Sequence, residues 1–179
     1  MRMLTVCVLA VVVAARAEAT VLVGADLGEL SRDAMAIARG RVVAVDGRWG
    51  EGRRTIETIV TLDVERYLKG SLGETVEFVV PGGVLGRFQN IVVGAPAFTI
   101  DERVIVFLGS RGPSVPYVLG LSQGVFRVAR AGDAEWISSP VFVPTSTAAA
   151  RLVRGDTGRQ PLTLADFEQR VRSLAGGQR

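Results

Sequence analysis

Thr55-Ile56-Glu57-Thr58-Ile59-Val60-Thr61-Leu62-Asp63-Val64-Glu65 carries apolar residues at Ile56, Val60, Leu62 and Val64, with Glu57, Thr61, Asp63 and Glu65 between them. Successive side chains of a strand point to opposite faces, so this period of two predicts a β-strand with one buried and one wet face. Ile59 is the apolar exception on the outer face.

On either side of this strand, short runs of Val, Ile and Phe are separated by Gly, Pro and Asp, the pattern of an all-β domain. Upstream, residues 36–46 form a strand, and Gly40 between Arg39 and Arg41 marks a bulge. Downstream, Lys69-Gly70 and Leu72-Gly73 turn the chain, with Lys69 read as a solvated turn residue. Residues 75–80 form the next strand, with Val76, Phe78 and Val80 inward, and Pro81-Gly82-Gly83 ends it.

Residues 84–93 predict a fourth, irregular strand before the breaker Gly94-Ala95-Pro96. Residues 103–108 (Arg-Val-Ile-Val-Phe-Leu) are apolar on both faces, which predicts a central strand covered on both sides. Strands over 114–121 and 125–130 follow, joined by a hairpin turn at Ser122-Gln123-Gly124. Residues 135–143 predict a last edge strand whose pairing Pro140 and Pro144 limit.

Two helices frame these strands. Leu27 and Leu30, three apart, predict one or two turns over 26–34. Near the other end Thr163 is an N-cap with Asp166 three residues on, and Leu164, Phe167, Val171 and Leu174 make one apolar stripe that Gly176-Gly177 stops. That stripe predicts a helix docked on the strands, reached through a polar, small-residue surface linker at 145–161. The expected fold is mainly β: an antiparallel β-barrel over 20–144, with a short N-terminal helix and a docked C-terminal helix at 162–176. A seven-stranded β-sandwich is the alternative.

Arg2 followed by the uncharged run 4–15 and by Ala17-Glu18-Ala19 predicts a signal peptide, residues 1–19, cleaved after Ala19. The apolar run is too short to span a bilayer, which takes about 20 residues. The expected location is periplasmic or secreted, with no stable membrane insertion once the leader is gone. Two arginines and one glutamate leave with it, so the formal charge of +3 falls by one. With no basic cluster longer than Arg53-Arg54, nucleic acid is not an expected partner.

Composition also excludes chemistry. The 179 residues contain no His, and the one Cys, Cys7, lies in the leader, so the exported chain has no disulfide. A Ser-His-Asp triad, a Cys-His pair and a zinc site of the usual ligands are unavailable, and no cofactor or metal is expected. Residues 81–86 are glycine-rich but lack the Lys-Ser/Thr of a phosphate loop, and Lys69, the sole lysine, has no Ser-x-x-Lys around it. Glu57, Asp63 and Glu65 could in principle supply paired carboxylates, although on a half-exposed strand they read more simply as solvated.

The segment Asp46-Gly47-Arg48-Trp49-Gly50-Glu51-Gly52-Arg53-Arg54 stands apart, because it joins an indole and three guanidiniums to three glycines. Trp and Arg dominate binding hot spots, so Arg48, Trp49, Arg53 and Arg54 are the candidate binding residues. The plainer reading is a hairpin tip whose Trp49 folds back on the barrel.

The run 37–45, the segment Tyr67-Leu68-Lys69-Gly70, the strand 76–80 and Asp101-Glu102-Arg103-Val104-Ile105-Val106-Phe107-Leu108 together resemble the strand order of netrin-like modules, the family that includes the tissue inhibitors of metalloproteinases. The resemblance spans roughly residues 35–130 and implies that the expected antiparallel β-barrel is OB-like. It does not imply their inhibitory mechanism, which uses an amino-terminal cysteine and several disulfides that this exported chain lacks. Barrels of this type bind through the loops after strands one and four, which places the 46–54 segment at the mouth. The expected function is therefore an exported, non-enzymatic binding or accessory module that contacts a protein or glycan through residues 46–54. A carboxylate-based hydrolase and a single-strand nucleic-acid-binding OB module are the alternatives.

Overall fold

The computed structural model describes residues 25–110, 112, 115–138 and 162–176. The expected leader, the linker 145–161, and the part of the last edge strand beyond Ser138 lie outside them.

One strand, β6 (Arg103–Gly109), belongs to two hydrophobic layers at once. Val104, Val106 and Leu108 enter a cluster with Ala38, Val42, Val60, Leu62, Val76 and Phe78, whereas Ile105 and Phe107 enter a second cluster with Leu30, Phe126, Phe167 and Val171. Alternation in a strand buried on both faces produces this division, and the apolar run of 103–108 had predicted it.

β6 pairs antiparallel along one edge with β1 (Ala36–Trp49), from Ala36↔Leu108 to Arg41↔Arg103. β1 in turn pairs with β2 (Ile56–Lys69), and β2 with β3 (Thr75–Pro81), both antiparallel. Of the expected inward residues of β2, Ile56, Val60 and Leu62 are buried and Val64 is half-buried. Gly40 sits at a register shift between β1 and β2, and a Cβ there would lie 2.1 Å from the Asp63 carbonyl oxygen, so the bulge admits no side chain.

The other edge of β6 carries β7 (Tyr117–Val118) and then β8 (Val125–Ala131), end to end. The hairpin turn expected at 122–124 is corrected: a 3-10 turn, Leu121–Gly124, interrupts one continuing antiparallel edge, and β7 and β8 pair with β6 rather than with each other. Before the turn, β7 meets β3 in parallel at Val79↔Tyr117. After it, β8 pairs with β9 (Ala134–Ser138).

The pairings thus run β1–β2–β3–β7–β6 and return to β1, in an OB-like order. A single parallel pair holds the β3–β7 seam, so the seven-stranded sheet is rolled but is not a closed barrel. That seam is the departure from the expected antiparallel closure. The seven strands form one sheet, not the two of a sandwich.

The irregular strand expected over 84–93 is also corrected. It is a small hairpin of its own, β4 (Gly83–Leu85) with β5 (Phe88–Asn90), because Gly86 at φ 58° turns the chain back between them.

Two helices cover the outer layer. α1 (Leu27–Asp33) begins at Asp26, whose carboxylate accepts from the Gly28 N–H. α2 (Leu164–Gly176) starts at Thr163, whose Oγ1 accepts from the Asp166 N–H at 3.2 Å and donates to the Asp166 carboxylate at 2.7 Å. Leu164, Phe167 and Val171 are buried, with the Phe167 ring 4.7 Å from that of Phe126, so the stripe docks on the sheet as expected. Lys69 is not a solvated turn residue: its Nζ donates to the Ser31 and Arg32 carbonyls at 2.9 and 2.8 Å and caps the C-terminal end of α1, where a cation is favoured.

Candidate functional site

β1 does not stop at Asp46. It continues to Trp49, where Arg48 faces Glu57 and Trp49 faces Ile56 across the β1–β2 ladder. The turn proper is tighter than the sequence suggested. The Gly50 N–H donates to Thr55 O at 2.9 Å, and a 3-10 turn, Glu51–Arg53, carries Gly52 and Arg53 at φ 68° and 54°.

Because Arg48 and Trp49 are consecutive in a strand, their side chains leave on opposite faces. Trp49 packs on the Phe88 ring at 5.5 Å, and the Arg87 guanidinium lies 5.1 Å from that ring, so the indole braces the β4–β5 hairpin. Arg48 points the other way and pairs with Glu57 at 3.3 Å. Arg53 and Arg54 are exposed at the turn. The four candidate binding residues are therefore neighbours in sequence without sharing one face.

A cleft of about 720 Å³ opens beside the hairpin tip, within the 300–1,000 Å³ typical of ligand sites. Arg48, Glu51 and Glu57 are its charged lining; Val79 and Pro81 of β3, Val115, Tyr117 and Val118 on the β7 side, and Leu121 are its apolar lining, with Pro81 beside Glu57 in the ladder. The cleft thus lies along the β3–β7 seam, beside the β1–β2 turn, the one expected mouth loop that contributes to its lining; the loop after the expected fourth strand, 94–102, does not. Of the four candidates only Arg48 lines it.

Tyr117 and Leu121 were missed because their segment was expected to be an ordinary hairpin. The backbone there is unusual: Gly120 and Leu121 are both left-handed, at φ 62° and 54°. For a bulky residue such as Leu this conformation is strained.

A second charged constellation lies where α2 meets the sheet. Glu168, buried on α2, binds Arg39 of β1, Arg172 at 2.7 Å and Arg66 at 3.6 Å. Arg39 reaches Glu65 at 3.1 Å; Arg103 holds both oxygens of Glu65 at 2.8 Å and also binds Glu135. The Arg103 hydrogen bonds, reinforced by the charges of Arg103, Arg39 and Arg41 and opposed by partial burial, hold the Glu65 carboxyl below the usual glutamate range. Glu65 and Glu135 in turn raise Arg103. This ladder of alternating charge is bracing, and it claims one of the carboxylates considered for catalysis.

Among the described residues no helix is long and apolar enough to cross a membrane, and no cluster of three or more Asp, Glu, His or Cys could hold a metal ion. No protein family, no curated protein and no solved structure matches this chain.

Proposed function

We propose that the protein is an exported, non-enzymatic binding module that holds a segment of a partner molecule, protein or glycan, in the cleft beside the β1–β2 turn. The observation that carries this reading is the cleft itself, lined by apolar Val79, Tyr117 and Leu121 together with charged Arg48, Glu51 and Glu57. Ligand pockets combine an apolar lining with a few polar groups that fix orientation. Export rests on the leader-like residues 1–19, and the absence of turnover on the lack of His and of a Cys beyond Cys7.

The carboxylate-hydrolase reading fares less well. A general acid needs a raised pKa, whereas Glu65 is lowered and Glu57 is bound by Arg48. The nucleic-acid reading needs aromatic rings stacked along a basic groove, and Tyr117 is the aromatic that lines this cleft while Trp49 is occupied with Phe88.

The test is a screen of the chain from Thr20 onward against immobilised glycans and against peptides displayed on phage. A ligand is expected whose affinity drops about tenfold or more in Tyr117→Ala, with the β-sheet circular dichroism retained, as for a buried aromatic anchor. Ligands indifferent to Tyr117→Ala, or none at all, would overturn the proposal.

A further inference from the structure

We infer that the occupant of the cleft is an extended peptide segment in which an apolar residue stands next to a lysine or arginine, an inference that rests on the binding-module reading above. Three features lead to it.

The first is charge. Arg48 and Glu57 neutralise one another at 3.3 Å, which leaves Glu51 in the same lining with no ion pair among the described residues. The lining therefore has one carboxylate in excess, and a cation completes it. Arg53 and Arg54, on the same turn, are not part of the lining. A long basic side chain suits a cleft lined by both apolar and charged groups, because its methylenes lie on apolar surface while its head reaches the carboxylate.

The second is the backbone. Many extended peptides bind by adding a strand to a sheet edge, which needs free N–H groups. The two β3 residues that line the cleft offer none: the Val79 N–H is given to Pro116 O at 2.8 Å, and Pro81 has no N–H. Recognition is left to side chains, and specificity to charge and shape. A glycan would rest on flat aromatic faces, of which Tyr117 supplies one.

The third is Leu121. Its φ of 54° is a conformation that glycine adopts freely, yet a large apolar residue stands there and lines the cleft. Strain that survives at a site is a pointer to use. The leucine side chain is worth keeping where it touches an apolar group of the ligand.

The experiment is phage selection of random seven-residue peptides on the chain from Thr20 onward, on Glu51→Lys and on Leu121→Gly, each variant first checked for cooperative unfolding. On the wild type, the selected pool should be enriched about fivefold in Lys or Arg adjacent to Leu, Ile, Val or Phe, the factor a partly exposed ion pair supplies. On Glu51→Lys the basic enrichment should vanish and Asp or Glu should replace it. On Leu121→Gly the apolar neighbour should lose its enrichment while the protein itself melts no lower. A wild-type pool that is neutral or acidic, but still depends on Leu121, would overturn the inference and leave a binding cleft. A pool indifferent to both substitutions, or no enriched pool while glycans bind, would overturn the peptide assignment. No ligand of either kind would overturn the binding module as well.

Discussion

The buried carboxylate of Glu168 grips the guanidinium of Arg39 across 129 positions of sequence, so the last helix is fastened to the first strand by a charge pair. Both side chains are largely withdrawn from water, at 6% and 16% exposure, and Arg172 and Arg66 share the same carboxylate.

Removing one partner of such a pair leaves the other buried and unmatched. Glu168→Ala is expected to destabilise the protein by about 3 kcal/mol in urea unfolding. Replacing both members with apolar residues, Glu168→Leu with Arg39→Met, should recover most of that loss, because desolvation of the pair offsets much of its attraction. A double variant as unstable as the sum of its singles would contradict this account.

Gly40→Ala tests the bulge. A Cβ there meets the Asp63 carbonyl oxygen at 2.1 Å and the Leu62 side chain at 2.9 Å, and the backbone oxygen cannot swing aside. The expected cost is roughly 2 kcal/mol or more, in the range of overpacked cores. Gly52→Ala makes a useful comparison, since its Cβ would meet nothing within 4 Å and only its φ of 68° penalises a side chain.

Stability should depend on acid through Glu65. Its folded pKa lies below its unfolded one, so its contribution is complete above the ordinary glutamate pKa of about 4.3 and is lost as pH falls through the depressed folded value. Wild type should therefore exceed Glu65→Gln in urea midpoint at pH 7, and the gap should close progressively below about pH 4.3. A gap that persists at pH 2 would show that the hydrogen-bond geometry, not the carboxylate charge, is what matters.

Arg53 is exposed and left-handed at φ 54°. Arg53→Gly should raise stability by about 1 kcal/mol by removing that strain, and the melting temperature should rise by a few degrees.

The strands and helices that bury one clean face were legible from sequence. The alternation of Ile56, Val60 and Leu62 and the stripe Leu164, Phe167, Val171 express local periods that the core then rewards, and the apolar run 104–108 marks the strand buried on both faces. What escaped was the matching of distant pieces. Arg48 and Trp49 are a single step apart, yet whether that step lies in a strand or a loop decides if they cooperate, and β1 extends to Trp49 because β2 and the β4–β5 hairpin support it there. Lys69 caps a helix 38 positions earlier, and Glu65 is held by an arginine 38 positions later. No local pattern announces such partners. The cleft was half legible: the 46–54 turn was expected at its mouth, but the loop at 94–102 is not part of it, and Tyr117 and Leu121 depend on a 3-10 turn whose left-handed Leu no propensity favours.

Because β6 walls both hydrophobic layers, the two are expected to melt together. The amides of Val104 through Leu108 should be the last in the molecule to exchange with deuterium, through global opening alone. Loosening of the helical side would then reach the cleft without any dedicated wire between them, since the strand whose far edge carries Tyr117 also seats Phe126 beneath Phe167.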